Sequence, residues 1–170
     1  RNDAYHGSNS PDATNTGVAF VDGVQINFVT DTDAQINARS LNNTQAGALS
    51  AGARLGLAVG QLDNSDNGTI SSVGALTVQA GHVDNRDKGR ISSQGAVSAQ
   101  LSGLDQQGGG QFIGRGGLRL DLAGGRLNNS QQGLLATPGS LLLSNVAAID
   151  NSQGGEISSD QAFTLLTAEL

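Results

Sequence analysis

The fold of this chain is decided by residues 62–82, which read LDNSDNGTISSVGALTVQAGH. In the second half of this stretch Leu76 and Val78 alternate with polar residues, a pattern typical of a strand with one buried face. A shorter apolar segment lies around Ile70 and is bracketed by two glycines, which mark turns. The stretch therefore predicts a unit of two or three short strands joined by glycine-rich or polar turns.

This unit recurs at regular intervals along most of the 170-residue chain. The first apolar column consists of Phe20, Leu41, Leu62, Val83, Leu104, Leu127, Ile149 and Leu170. The second column follows eight positions later and consists of Phe28, Leu49, Ile70, Ile91, Phe112, Leu135 and Ile157. Two further columns come from the alternating strand, at Leu55, Leu76, Val97, Leu118, Leu141 and Phe163 and again two positions after each of these. A period of roughly 21 residues predicts a stacked solenoid, because one repeat cannot bury its apolar face alone.

We therefore expect an all-β fold, a right-handed parallel β-helix of about seven turns, since crossovers between parallel strands are right-handed in nearly all proteins. At about 4.8 Å per turn the rod would be roughly 34 Å long. Extra residues occur only in Asp121 to Arg126 and in Ser144 to Ala148, as expected of loops on one side of a solenoid. The repeat domain is predicted to span residues 20–170 and to be part of a longer array. Residues 1–19 show no repeat and are predicted to be a polar lead-in, a cap or a flexible segment.

Composition excludes several classes of function. The net charge is −6, which argues against nucleic-acid binding because phosphate contacts depend on clustered Lys and Arg. There is no cysteine, and therefore neither a disulfide nor a thiolate metal site. No apolar run is long enough to span a bilayer.

A column of amides lies two positions after the first apolar column, at Asn43, Asn64, Asn85, Asn129 and Asn151, with Gln106 as the exception. Because side chains alternate along a strand, these amides are predicted to point into the coil. There each amide can donate to one neighbour and accept from the other, which gives a structural amide ladder. A glycine column follows, at Gly47, Gly68, Gly89, Gly110, Gly133 and Gly155, and is predicted to supply positive φ angles in the turn.

Acidic residues precede many of the amides, at Asp63, Asp84, Asp105 and Asp150. We expect these carboxylates to be solvated, so that Asp84→Ala would be neutral or slightly stabilising. A weak Ca²⁺ site is the alternative, but one outward column offers too few oxygens for a cation that takes six to eight. The column also imitates the carboxylate cluster of a β-helical polysaccharide lyase or hydrolase, although repetition alone produces it. No catalytic residue, metal ligand or cofactor is predicted.

Three stretches carry a family resemblance: LDNSDNGTISSVGALTVQAG, VDNRDKGRISSQGAVSAQLSG and IDNSQGGEISSDQAFTLLTA. They resemble the repeats of filamentous haemagglutinin-type exoproteins, a family of large adhesins and of toxin-delivery proteins of contact-dependent growth inhibition. The resemblance covers about residues 41–170 well and residues 20–40 only through apolar spacing. It implies a β-helical stalk that is secreted by a Gram-negative bacterium through an outer-membrane two-partner transporter.

The predicted function is a stalk segment of a secreted or cell-surface filament, which presents adhesive or toxin-delivery regions to a receptor on a host or target cell. Two alternatives remain open. One is a carbohydrate-active β-helix enzyme. The other is a direct receptor-binding surface, centred on the inserted Asp121 to Arg126 stretch.

Overall fold

The computed structural model describes residues 19–21, 24–26 and 28–167, and the regular elements in these ranges are all strands. They are β1 (Ala19–Val21), β2 (Val24–Ile26), β3 (Phe28–Thr30), β4 (Ala34–Asn42), β5 (Ala48–Ala51), β6 (Leu55–Asp63), β7 (Thr69–Ser72), β8 (Leu76–Ala80), β9 (His82–Asp84), β10 (Arg90–Ser93), β11 (Val97–Gln100), β12 (Gly103–Asp105), β13 (Gln111–Gly114), β14 (Leu118–Asp121), β15 (Arg126–Asn128), β16 (Leu134–Thr137), β17 (Leu141–Val146), β18 (Ala148–Asp150), β19 (Glu156–Ser159) and β20 (Phe163–Thr167).

Equivalent strands of successive coils pair in parallel and in register. On one face Ile91 pairs with Ile70 of the preceding coil and with Phe112 of the following coil. This face is the seven-stranded sheet β19-β16-β13-β10-β7-β5-β3. The larger sheet covers two further faces, which are joined because β6 pairs with both β8 and β9. The predicted all-β parallel solenoid of about seven turns is confirmed; the hand of its coil stays a prediction.

The predicted apolar columns form the core. Within the described residues, their members from Phe28 to Leu143 are at most 3% exposed. A further column that the sequence analysis did not include lies at one corner of the coil, where Val59, Leu101, Leu122 and Val146 are buried. Aliphatic side chains fill this narrow interior, and Phe28 and Phe112 are its largest fully buried side chains.

The first coil differs from the prediction. We expected Phe20 to stack on Leu41 as a parallel neighbour, but β1 runs antiparallel to β4, and Phe20 pairs with Asn42. β1 also pairs antiparallel with β2. The sequence between these two strands is Asp22-Gly23, a dipeptide that favours a two-residue hairpin and hence a reversal of the chain. The column position of Phe20 is therefore wrong. Residues 1–18 and Leu170 lie outside the described residues, so the predicted lead-in and the predicted longer array stay predictions.

The two insertions lie at corners of the coil. Before the first insertion Asp121 pairs with Gln100, and after it Leu127 pairs with Leu104, so the offset between paired residues grows by two across it. The additional residues are thus accommodated between β14 and β15 without disturbing either strand. The backbone turns there through positive φ angles at Ala123 (49°) and Gly124 (83°).

Candidate functional site

Amide side chains form a continuous column inside the coils. Asn43, Asn64, Asn85, Gln106 and Asn129 are 0% exposed, whereas Asn151 in the last coil is exposed. Each amide nitrogen donates a hydrogen bond to the amide oxygen of the next coil. The distances are 2.8 Å from Asn43 to Asn64, 2.9 Å from Asn64 to Asn85, 3.1 Å from Asn85 to Gln106, 2.9 Å from Gln106 to Asn129 and 2.7 Å from Asn129 to Asn151.

The same nitrogens also hold the turns that follow. Asn64 Nδ2 donates to the Gly68 carbonyl of its own turn at 3.0 Å and to the Arg90 carbonyl of the next coil at 3.1 Å. Asn129 makes the equivalent bonds to Gly133 and Glu156. Gly68 O and Gly133 O also accept from Arg90 N and Glu156 N, so each amide adds a second bond to the main chain of its own turn and a bond to that of the next coil.

The ladder has a direction, because every donor points towards the C-terminal coil and every acceptor towards the N-terminal one. At one end, Asn43 Oδ1 is buried and accepts no hydrogen bond from the described residues. At the other end, Asn151 Oδ1 accepts from Asn129, but its nitrogen has no acceptor in the part of the chain that the structure describes.

The glycine column is required for a different reason from the one predicted. None of Gly47, Gly68, Gly89, Gly110, Gly133 and Gly155 has a positive φ. The positive angles belong to the two preceding residues, such as Asp66 (52°) and Asn67 (63°). A Cβ at Gly68 would lie 2.7 Å from Asn64 Oδ1 and would clash with the carbonyl oxygen of Asn43. Glycine is therefore needed because the amide ladder and the main chain leave no room for a side chain.

Lack of space at the glycine and a positive φ at the residue before it predict opposite results for substitutions at two adjacent positions. We expect Gly89→Ala to lower the free energy of unfolding by about 1–3 kcal/mol or more, because its Cβ would lie 2.6 Å from Asn85 Oδ1 and would clash with Asn64 O. Lys88→Gly is the matched control, and we expect it to be neutral or stabilising because Lys88 has φ = 66°. Denaturant unfolding of both variants is the measurement. An unchanged midpoint in Gly89→Ala would contradict the close contact.

Three members of the acidic column, Asp63, Asp84 and Asp150, close turns instead of standing free in solvent. Asp63 Oδ1 accepts hydrogen bonds from Ser65 N at 3.0 Å and from Ser65 Oγ at 2.7 Å. Asp84 accepts from Arg86 N and forms an ion pair with Arg86 Nη2 at 2.7 Å. The expectation that Asp84→Ala is neutral or stabilising is therefore revised to a moderate loss. Asparagines in the same column accept from Thr44 (Asn42) and from Ser130 (Asn128).

The repeat that builds this ladder belongs to a known type. Residues 29–100, 72–130 and 114–169 each match the family described as Haemagglutinin repeat. The chain belongs to the haemagglutinin repeat family. The resemblance seen in the sequence is confirmed, and the matches include every amide of the ladder. No curated protein and no solved structure matches the chain.

This haemagglutinin repeat region contains two neighbouring half-buried carboxylates, Asp84 and Asp105. Burial opposes ionisation of Asp84, but its hydrogen bonds and ion pair with Arg86 outweigh burial and lower the pKa of Asp84. Asp105 lies one coil further on, and its Oδ1 is buried without a hydrogen bond. Burial raises the pKa of Asp105, the charge of Arg86 opposes the rise, and the charge of Asp84 adds to it.

Asp105→Asn should therefore stabilise the fold at neutral pH. Because folding raises the pKa of Asp105, the folded state holds the proton of this carboxyl more tightly than the unfolded state does. The free energy of unfolding therefore falls as the pH rises above the ordinary pKa of 3.8. Asn is compatible with this column, since Asn128 occupies the equivalent position in the next coil. We expect the Tm of Asp105→Asn to exceed that of the parent at pH 7 and the difference to disappear below pH 3.8. A difference that persists well below this pH would show that ionisation is not its cause.

A column of buried hydroxyls was missed by the sequence analysis. Ser72, Ser93 and Thr137 are 3–4% exposed and lie at the ends of equivalent strands. Ser93 Oγ donates to Gly74 O at 2.6 Å and accepts from Gly95 N at 3.0 Å, which fixes the second turn of its coil. The available signal was the second serine of the recurrent ISS motif, which lies two positions from a glycine.

The larger insertion borders a surface groove of about 400 Å³, lined in part by His82, Gly103, Asp105, Gly125 and Arg126. Gly103 lines the groove, and a Cβ there would lie 3.0 Å from His82 Nδ1. Its rim carries both charge signs. Of the inserted Asp121 to Arg126 stretch, Gly125 and Arg126 line this groove.

The described residues contain no group of three or more His, Asp or Glu side chains placed to hold a metal ion. Among those same residues, no helix is long and apolar enough to cross a membrane.

Proposed function

We propose that this chain is a stalk segment of a filament secreted by a Gram-negative bacterium, and that it holds adhesive or toxin-delivery regions away from the cell. Haemagglutinin repeats are found in secreted or cell-surface bacterial proteins, and a β-solenoid of these repeats fits an adhesin-type stalk. The observation that carries the proposal is the parallel pairing of equivalent strands from coil to coil along both sheets. In such a stack, length is proportional to the number of repeats.

The proposed partners follow from the same role. During export the chain would pass through an outer-membrane two-partner transporter. Once outside, the filament would meet a receptor on a host or target cell. The stalk itself would need neither a cofactor nor a metal, because the amide ladder and the apolar columns supply its cohesion.

The stalk function is tested by changing the number of coils. Residues 41–103 comprise three coils of equal length, so a tandem duplication of them keeps every column in register. We expect the duplication to lengthen the rod by about 14 Å in small-angle X-ray scattering, at about 4.8 Å per coil. An insertion of the same composition with a scrambled order is the control. A folded duplication that widens the rod without lengthening it would overturn the proposal.

The groove beside the insertion supports a second candidate, a direct receptor-binding surface. Arg126 is exposed at this groove, and His82 is exposed on its other side. Arg126→Ala together with His82→Ala should abolish binding to target cells if this surface engages the receptor. If the chain acts only as a stalk, binding of the intact filament to target cells should be unchanged by these substitutions.

The enzyme alternative receives less support. The haemagglutinin repeat is a non-enzymatic adhesin-type repeat. Of the acids that imitate a lyase cluster, Asp63 accepts bonds from Ser65 and Asp84 is paired with Arg86. The test is the release of reducing or unsaturated ends from a panel of acidic and neutral glycans. If the chain acts only as a stalk, no such ends should be released.

A further inference from the structure

We propose that Asn67 is a site of spontaneous deamidation, and that the closed coils protect it, so that it is modified only while the chain around it is unfolded. Asn67-Gly68 is the one Asn-Gly pair in the sequence. Asparagine is among the thermolabile residues of proteins. A following glycine favours the reaction, because it has no side chain to shield its own nitrogen. The reaction needs no enzyme and is independent of the proposed stalk function.

The reaction joins the backbone nitrogen of Gly68 to the side-chain carbon Cγ of Asn67. The new N–Cγ bond closes a five-membered succinimide ring, the Cγ–Nδ2 bond breaks, and the Nδ2 group leaves as ammonia with the proton of Gly68 N. Water then opens the ring at either of its two carbonyl carbons. One opening gives aspartate at position 67. The other gives isoaspartate, in which the main chain runs through the former side chain.

The side chain of Asn67 is open to solvent, but the peptide that must react is held in the turn. Gly68 N donates to Ser65 O at 3.1 Å, and Asn67 N donates to Asp87 O of the following coil at 3.0 Å. The succinimide nitrogen carries no proton, so ring closure removes the bond to Ser65. The turn has to open before the reaction can occur, and its opening is opposed by every bond that ties it to the coils.

Both neighbouring coils contribute to this protection. Gly68 O accepts from Arg90 N of the following coil at 2.8 Å, and Thr69 N donates to Gly47 O of the preceding coil at 2.8 Å. The peptide between Asn67 and Gly68 thus lies between main-chain bonds to both sides. The following coil supplies the partners of Asn67 N and of Gly68 O. We therefore expect protection to be complete only after that coil has closed.

The two products should differ in their effect on the fold. Asn67 has a φ of 63°, and aspartate tolerates this region, as the neighbouring Asp66 does at 52°. Isoaspartate instead adds one methylene to the main chain directly before Gly68. This glycine is already crowded, because a Cβ on it would lie 2.7 Å from Asn64 Oδ1. We therefore expect a chain with isoaspartate at position 67 to be unable to close this coil in register.

The turn does not need the amide of Asn67, which provides a matched control. Asn67 Nδ2 donates to the exposed side chain of Asp66 at 3.2 Å, a bond that holds no main-chain group. Lys88 and Gln132 precede the equivalent glycines with nearly the same backbone angle, 66° and 67°. Asn67→Gln should therefore keep the fold. Its longer side chain would have to close a six-membered ring, which forms far more slowly.

The test incubates the full chain at mildly alkaline pH, both folded and in urea, and follows the mass of the tryptic peptide 55–86. Fragmentation assigns the added mass to one residue, and isoaspartyl methyltransferase labels isoaspartate. We expect Asn67 to deamidate at least about tenfold faster in urea than in the folded chain, since the closed turn must first open. Asn67→Gln should remove the signal in urea. Ile91→Asp, which disrupts the following coil, should raise it without urea.

Equal rates in the folded and unfolded chains would overturn the protection. Modification in urea that favours Asn64 or Asn85 of the same peptide would overturn the site. Refolding of the aged chain, followed by limited proteolysis, tests the products. We expect the protease-resistant molecules to retain the aspartate form and to lack the isoaspartate form. Resistant molecules that contain isoaspartate in the same proportion as the whole sample would overturn the crowding at Gly68. None of these results changes the rod length that tests the stalk function.

Discussion

Ile91→Asp is expected to abolish cooperative folding of the coils around it. Ile91 is 0% exposed and lies between Ile70 and Phe112 in the stacked sheet. A carboxylate there has no cationic partner and no solvent, and an unpaired buried charge costs several kcal/mol even after the protein relaxes. Because each coil is stabilised chiefly by its neighbours, the loss interrupts the stack at this point. We expect a loss of about 4 kcal/mol or more, measured by denaturant unfolding.

Two control variants separate charge from position. Ile91→Val removes one methylene and should cost only about 0.5–1.5 kcal/mol. Arg90→Asp places the same carboxylate at the adjacent exposed position of β10, where we expect little change. Unfolding of Ile91→Asp at the parent midpoint would contradict the register in which Ile91 faces inward.

The fold could be predicted because each core position is repeated. A single apolar residue such as Ile70 is ambiguous, but its equivalents at Ile91 and Phe112 fix both the period and the inward face. Phe20 satisfied the same apolar spacing and was still misplaced. Spacing carries no information about strand direction, and the deciding signal was the Asp22-Gly23 dipeptide between β1 and β2.

The roles of the turn residues could be predicted only in part. The sequence shows a glycine at position 68, but it does not distinguish a positive φ from a lack of space. Only the position of Asn64 Oδ1 shows that space is the reason. The role of Asp63 was better signalled, since an Asp or Asn followed two positions later by Ser or Thr is typical of a side chain that caps its own turn. The sequence has this spacing at Asp63 and Ser65.

Asn85→Ala is expected to cost more than the loss of any exposed side chain of its coil. Asn85 donates to Gln106 Oε1 at 3.1 Å and to Gln111 O at 2.9 Å, and its oxygen accepts from Asn64. Asn85 is 0% exposed, and each buried group left unpaired costs about 1–3 kcal/mol. We therefore expect a loss of several kcal/mol in denaturant unfolding.

Two neighbouring variants make this result specific to the ladder. Asp84→Ala removes an ion pair and a turn-closing bond at a partly exposed site, where such contacts contribute about 1 kcal/mol or less. Asn85→Gln should retain more stability than Asn85→Ala, because Gln106 already continues the ladder with a longer side chain. If Asp84→Ala proved the costlier variant, the cohesion between coils would lie on their surface. If the amide ladder inside the coils supplies the cohesion between them, the residues of the outer face can vary in sequence without shortening or weakening the rod.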